Sequence, residues 1–152
     1  MKIEEIPGWI DTTTKLTGDK FKKAFIFSVI NFPVAKKSAR AITHPEDIAV
    51  PIRYTMVGKA ADMEGPLNEN NLMVFPPKGD LEERAVFTRS QNTVVLSFID
   101  HIRNGIAHGR FNIVQNRKEE ILILEDMNKN KECSARIVVK LNTLTKWIEG
   151  IK

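Results

Sequence analysis

Between Ser90 and His108 the apolar residues Val94, Val95, Phe98, Ile99, Ile102 and Ile106 recur at intervals of three and four. On a helix of 3.6 residues per turn those positions share one side, so the segment reads as an amphipathic helix with one face in a core. Gly109 supplies its C-terminal stop. The opposite face carries Ser97, His101, Asn104 and His108, spaced four, three and four. A polar stripe with two histidines is unusual for a face that meets only water. A chain containing such a helix must supply other elements to cover its apolar side.

The rest of the chain offers them. The 152 residues are 42% apolar and 28% charged, an ordinary globular mixture that excludes wholesale disorder, collagen-like repeats and coiled-coil fibres. The length fits a single domain over 1–152, large enough to bury a core. Residues 1–16 read as irregular, with a turn signal at Pro7-Gly8. Asp19–Phe32 reads as a core helix, capped by Thr17 and striped by Phe21, Phe25, Val29 and Phe32, with Pro33 as its stop. His44-Pro45-Glu46-Asp47 is a turn entering a second helix, which Pro51 interrupts. Gly65–Gly79 reads as a loop with a short strand at Leu72–Phe75, and Asp80–Arg89 as a helix with acidic residues in its first turn. After Gly109 the period changes. Phe111–Val114, Glu120–Glu125 and Ala135–Lys140 are extended segments, and the last two flank a polar turn at Asp126–Lys131, so 111–140 is expected to form a β-hairpin. Leu141–Ile151 returns to helical spacing through Leu141, Leu144, Ile148 and Ile151.

Charge narrows the partners. Lys and Arg number 23 against 19 Asp and Glu, a net charge of +4. Residues 1–40 hold eight basic and four acidic residues (+4), 41–100 five and nine (−4), and 101–152 ten and six (+4). Two basic ends folding together would make a mildly basic face, suited to a polyanion. The one cysteine, Cys133, excludes an intramolecular disulfide and a cysteine-based zinc site and fits a reducing cytoplasm. No apolar run reaches the roughly 18 residues of a membrane span, and the acidic start carries no long apolar stretch, so neither a membrane anchor nor a signal peptide is expected.

One string carries chemistry: His101-Ile102-Arg103-Asn104-Gly105-Ile106-Ala107-His108-Gly109. Arg103 is a permanent cation with a planar fork that matches phosphate. Asn104 adds an amide donor and acceptor, and His108, four residues on, shares its face. Histidine moves protons near neutral pH. A cation that holds a phosphate and an imidazole that moves a proton are the minimum for cleaving RNA by attack of the 2′-hydroxyl on the adjacent phosphorus. The same residues have a purely structural reading, in which Arg103 pairs with Asp100 one turn earlier and His108 caps its helix.

Arg103-Asn104-Gly105-Ile106-Ala107-His108 resembles the Arg-Asn-x-x-x-His signature of HEPN domains, helical endoribonucleases of prokaryotic defence and toxin systems. The string through Arg110-Phe111, followed by a hairpin around Ile123–Asn128 and a last helix with Trp147, is similar to one bacterial HEPN subgroup. The resemblance is specific over 98–111, moderate over 112–151 and thin before residue 80. It implies a mainly α architecture: an antiparallel helical bundle, with a small β-hairpin before the C-terminal helix. It also implies a homodimer in which two Arg-Asn-His sets face one cleft, and RNA cleavage without a metal or other cofactor. By carry-over, Arg103 holds the scissile phosphate, Asn104 orients the phosphate or His108, and His108 is the general base or acid. Asp100 would orient Arg103, His101 would contact RNA or pack at the dimer seam, and Arg110 and Arg117 would touch RNA backbone. The implied setting is a cytoplasmic toxin or antiviral ribonuclease, with an antitoxin or other regulatory protein as partner. The competing readings are a catalytically silent HEPN module for dimerisation or for nucleotide or RNA binding, and a small helical regulator in which the motif is coincidental.

Overall fold

The computed structural model describes residues 48–149. In chain order it contains β1 (Tyr54–Val57), a 3-10 turn (Ala60–Asp62), α1 (Glu64–Glu69), β2 (Arg84–Thr88), α2 (Val94–Ala107), β3 (Phe111–Asn116), β4 (Glu119–Met127), β5 (Cys133–Lys140) and α3 (Leu141–Glu149). The expected irregular start at 1–16, the helix at Asp19–Phe32 and the turn at His44–Asp47 lie outside the described residues.

The strands form one five-stranded sheet in the order β1-β2-β5-β4-β3. β1 runs parallel to β2, and every other neighbouring pair is antiparallel. Its central strands are covered on both faces. Ala85, Phe87, Leu122, Leu124, Ile137 and Val139 face one core, which α2 and α3 close with Phe98, Ile99, Ile102, Ile106 and Leu144. Val86, Ile121, Ile123 and Val138 face a second core, closed by Met63, Leu67, Leu72 and Phe75 from the connection between β1 and β2. Strands buried on both sides lose the alternating polar face and read as continuous apolar runs such as Ile121-Leu122-Ile123-Leu124.

This corrects the expected architecture. The described residues form an α/β fold with a mixed sheet at its centre, not an antiparallel helical bundle with a hairpin appended. The 111–140 segment does pair antiparallel, Ile121 with Lys140 through Glu125 with Arg136, but as the middle of the sheet. Its β4–β5 hairpin pairs with β3 on one side and with β2 on the other. The helix expected over Asp80–Arg89 is instead the strand β2, all five residues of which are buried. Its acidic residues do other work: Asp80 Oδ1 accepts the Glu82 N–H at 3.0 Å, and Glu83 Oε2 accepts the Lys140 N–H at 3.1 Å. Local propensity is a weak force beside the pairing of Ala85–Phe87 with β1 and β5. The short strand expected at Leu72–Phe75 is a loop.

Candidate active site

Helix α2 carries the Arg-Asn-x-x-x-His string, and its ends are fixed by the residues that flank it. Thr93 Oγ1 accepts the Leu96 N–H at 3.2 Å, the standard N-cap bond. Ser97, the first member of the polar stripe, is fully buried and its hydroxyl accepts the Ser90 and Gln91 N–H groups, tying the incoming loop to the helix. At the other end Gly109 takes the left-handed conformation (φ 72). Its N–H donates to Ile106 O at 3.0 Å, and the Arg110 N–H donates to Gly105 O at 2.8 Å. These paired bonds close the last turn and leave His108 as the C-cap.

The stripe therefore divides. His101, like Ser97, faces inward. It is 3% exposed, its Nε2–H donates to Thr88 O at 2.7 Å, and Nδ1 lies 2.8 Å from Asp126 Oδ2 on β4. Asn104 is half-buried, and its carbonyl accepts the His108 N–H at 3.0 Å. His108 is exposed at the helix end. Arg103, on the turn before, keeps 36% of its side chain exposed. Its Nη2 lies 3.5 Å from Asp100 Oδ1, and its Nε–H is enclosed without a hydrogen-bond partner. Helical rise separates the Cα atoms of Arg103 and His108 by about 7.5 Å along the axis, the span of a phosphodiester and its flanking sugar. The structure thus brings Asp100, Arg103, Asn104 and His108 onto the last two turns of one helix.

The two later arginines part company. Arg117 is exposed in the two-residue loop between β3 and β4, in the left-handed region (φ 58). Arg110 is ion-paired with Glu125 and keeps only 14% of its side chain exposed. Glu125, fully buried, also accepts Arg136 Nε–H at 2.8 Å.

Three residues besides Arg103, Asn104 and His108 support the string. Gly105 sits where an added Cβ would lie 2.6 Å from Leu124 Cγ, so only glycine lets α2 approach β4 this closely. Glu125 and Asp126, adjacent on β4, hold Arg110 and His101 respectively. The signal for the two acids was legible: they continue the apolar run Ile121–Leu124, and carboxylates inside a buried strand require partners.

A cavity of about 450 Å³ lined by Ile48, Tyr54, Arg89 and Thr93 opens at the opposite end of α2, roughly 20 Å from His108 by helical rise. Among the described residues no group of three or more His, Cys, Asp or Glu gathers in a metal-holding cluster, and no helix is long and apolar enough to cross a membrane.

A protein-family model described as HEPN pEK499 p136 matches residues 18–151. No curated protein and no solved structure matches the chain.

Proposed function

The chain belongs to the HEPN family, matched over most of its length, and on that premise we propose that it is an endoribonuclease whose reacting groups are Arg103, Asn104 and His108. The observation that carries this reading is the contrast within one helix. His101 is consumed by folding, whereas His108 stands exposed at the C-cap and Arg103 is held only by a loose pair. A partly exposed ion pair at 3.5 Å holds its partners weakly. A phosphate offering two oxygens in plane displaces Asp100 readily, and the swing gives the Nε–H of Arg103 a partner.

The chemistry then follows from the groups. Neutral His108 takes the proton of the 2′-hydroxyl, whose oxygen bonds to phosphorus. Arg103 neutralises the charge that builds on the phosphorane. The P–O5′ bond breaks, and a second, protonated His108 from another copy returns a proton to the leaving oxygen. The products are a 2′,3′-cyclic phosphate and a 5′-hydroxyl. The reading includes a homodimer, because the HEPN resemblance implies that two motif helices face one cleft, and the exposed position of His108 at its helix end is compatible with that arrangement. Its cellular role is growth inhibition or phage defence in the cytoplasm, restrained by an antitoxin-like partner.

The test is RNA incubated with the protein in EDTA. Cyclic-phosphate ends are expected, reduced at least roughly 100-fold in His108→Ala and Arg103→Ala. RNA that stays intact but bound would instead assign a catalytically silent RNA-binding module.

A further inference from the structure

We propose that Arg110 and Glu125 are a positioning pair that fixes the His108 end of α2 to the sheet, and that Arg110 is not an RNA ligand. The inference rests on the nuclease reading for its functional consequence and on geometry for its substance. Residues 108–110 are attached to β4 twice through one residue. The Glu125 N–H donates to Arg110 O at 2.9 Å, and the Glu125 carboxylate is ion-paired with the Arg110 guanidinium. The Arg110 N–H in turn closes the last turn of α2 on Gly105 O. Side chain and backbone of Arg110 therefore both constrain the turn that presents His108.

Glu125 cannot release its partner cheaply. It is fully buried, and its other oxygen takes the Arg136 Nε–H at 2.8 Å. Arg136 is itself anchored: Nη1 donates to the carbonyls of Leu72 and Met73 at 2.8 Å each, and the guanidinium lies 5.3 Å from the centre of the Phe75 ring. A phosphate that pulled Arg110 outward would break an ion pair with a carboxylate that no water reaches, and such charges are costly to separate. Arg103, loosely paired and a third exposed, carries no such constraint. The two arginines thus divide the work: Arg103 is free to move to substrate, and Arg110 holds still.

The experiment compares wild type, Arg110→Met and Arg110→Lys by amide hydrogen exchange, by cleavage kinetics and by the salt dependence of RNA binding. In Arg110→Met the amides at positions 109 and 110 are expected to exchange at least about tenfold faster while core amides such as Ile123 are unchanged. kcat falls about tenfold or more with KM within roughly twofold. The slope of binding against salt stays the same. Arg110→Lys, which keeps the charge and one donor, recovers part of both losses. A raised KM at constant kcat, with a salt slope smaller by about one, would make Arg110 a phosphate ligand and overturn the proposal. Unchanged exchange at positions 109 and 110 would overturn it as well. Should Arg110→Met lose exchange protection throughout the core, the same comparison is made on Arg110→Lys alone, with a smaller but still local effect expected. Should wild type cleave no RNA, the nuclease reading fails, and the exchange data still decide whether the pair fixes the helix end.

Discussion

His101 lies two residues from Arg103, yet both of its ring nitrogens are engaged inside the chain, by Asp126 on β4 and by the Thr88 carbonyl on β2. The Asp126 carboxylate is 3% exposed; that ring is the partner of its Oδ2, while Oδ1 accepts the Met127 N–H at 2.9 Å. Removing one member of a buried pair leaves the other uncompensated, so His101→Ala is expected to lower unfolding stability by about 3–5 kcal/mol. Urea unfolding checks this. Stability unchanged beside abolished RNA cleavage would move His101 into the reacting set. Spacing alone put His101 and His108 on one stripe, because sequence registers the angle around a helix and not what lies opposite. Cys133 illustrates the same limit. Burial in the second core pushes its thiol up from 9.0 to about 11, partly offset by Arg136, so it stays a neutral core side chain at physiological pH.

At the scale of the element, α2 was the most legible part of the chain. Its apolar positions follow from 3.6-residue geometry, and its end follows from Gly109 in the left-handed conformation. Gly105 was not legible as a constraint, since the motif leaves that place open to any residue. An Ala there gains helix propensity worth up to about 1 kcal/mol, but its Cβ would lie within 2.9 Å of three Leu124 side-chain atoms. Leu124 is fully buried. Overpacking of this kind costs about 1–3 kcal/mol, so Gly105→Ala is expected to be net destabilising. In a double-mutant cycle Leu124→Ala should relieve the penalty, and purely additive losses would show that the helix is not packed against β4 as described. The strands were legible where local pairing forms them, as in the β4–β5 hairpin. β2 was misread because its five residues are buried by partners distant in sequence, β1 and β5, and its own letters suit a helix as well.

The whole molecule is a sheet with α2 and α3 on one face and α1 with its flanking loop on the other. The pair Arg110–Glu125 and its extension to Arg136 link the motif end of α2 to the 72–75 loop on the far side, so the site is tied into both layers. The nuclease reading calls for an opposing wall that closes a cleft over the exposed His108. Under the nuclease reading two copies supply it, and sedimentation at micromolar concentration should give twice the 17.3 kDa of one chain. A strict monomer that still cuts RNA would require a one-chain mechanism and remove the composite cleft.

The Arg103-Asn104-His108 string, the helix that bears it and the family to which the chain belongs were determined by the order of residues, because each depends on spacing within a few turns. Which of the neighbouring polar groups remain open to a substrate was decided only in three dimensions. Ser97, His101 and Arg110 look alike on paper to Arg103 and His108, and they differ because β2, β4 and the loop before α2 bring partners to the first group and leave the second at a helix end. Partners that arrive from distant segments cannot be read from local periodicity.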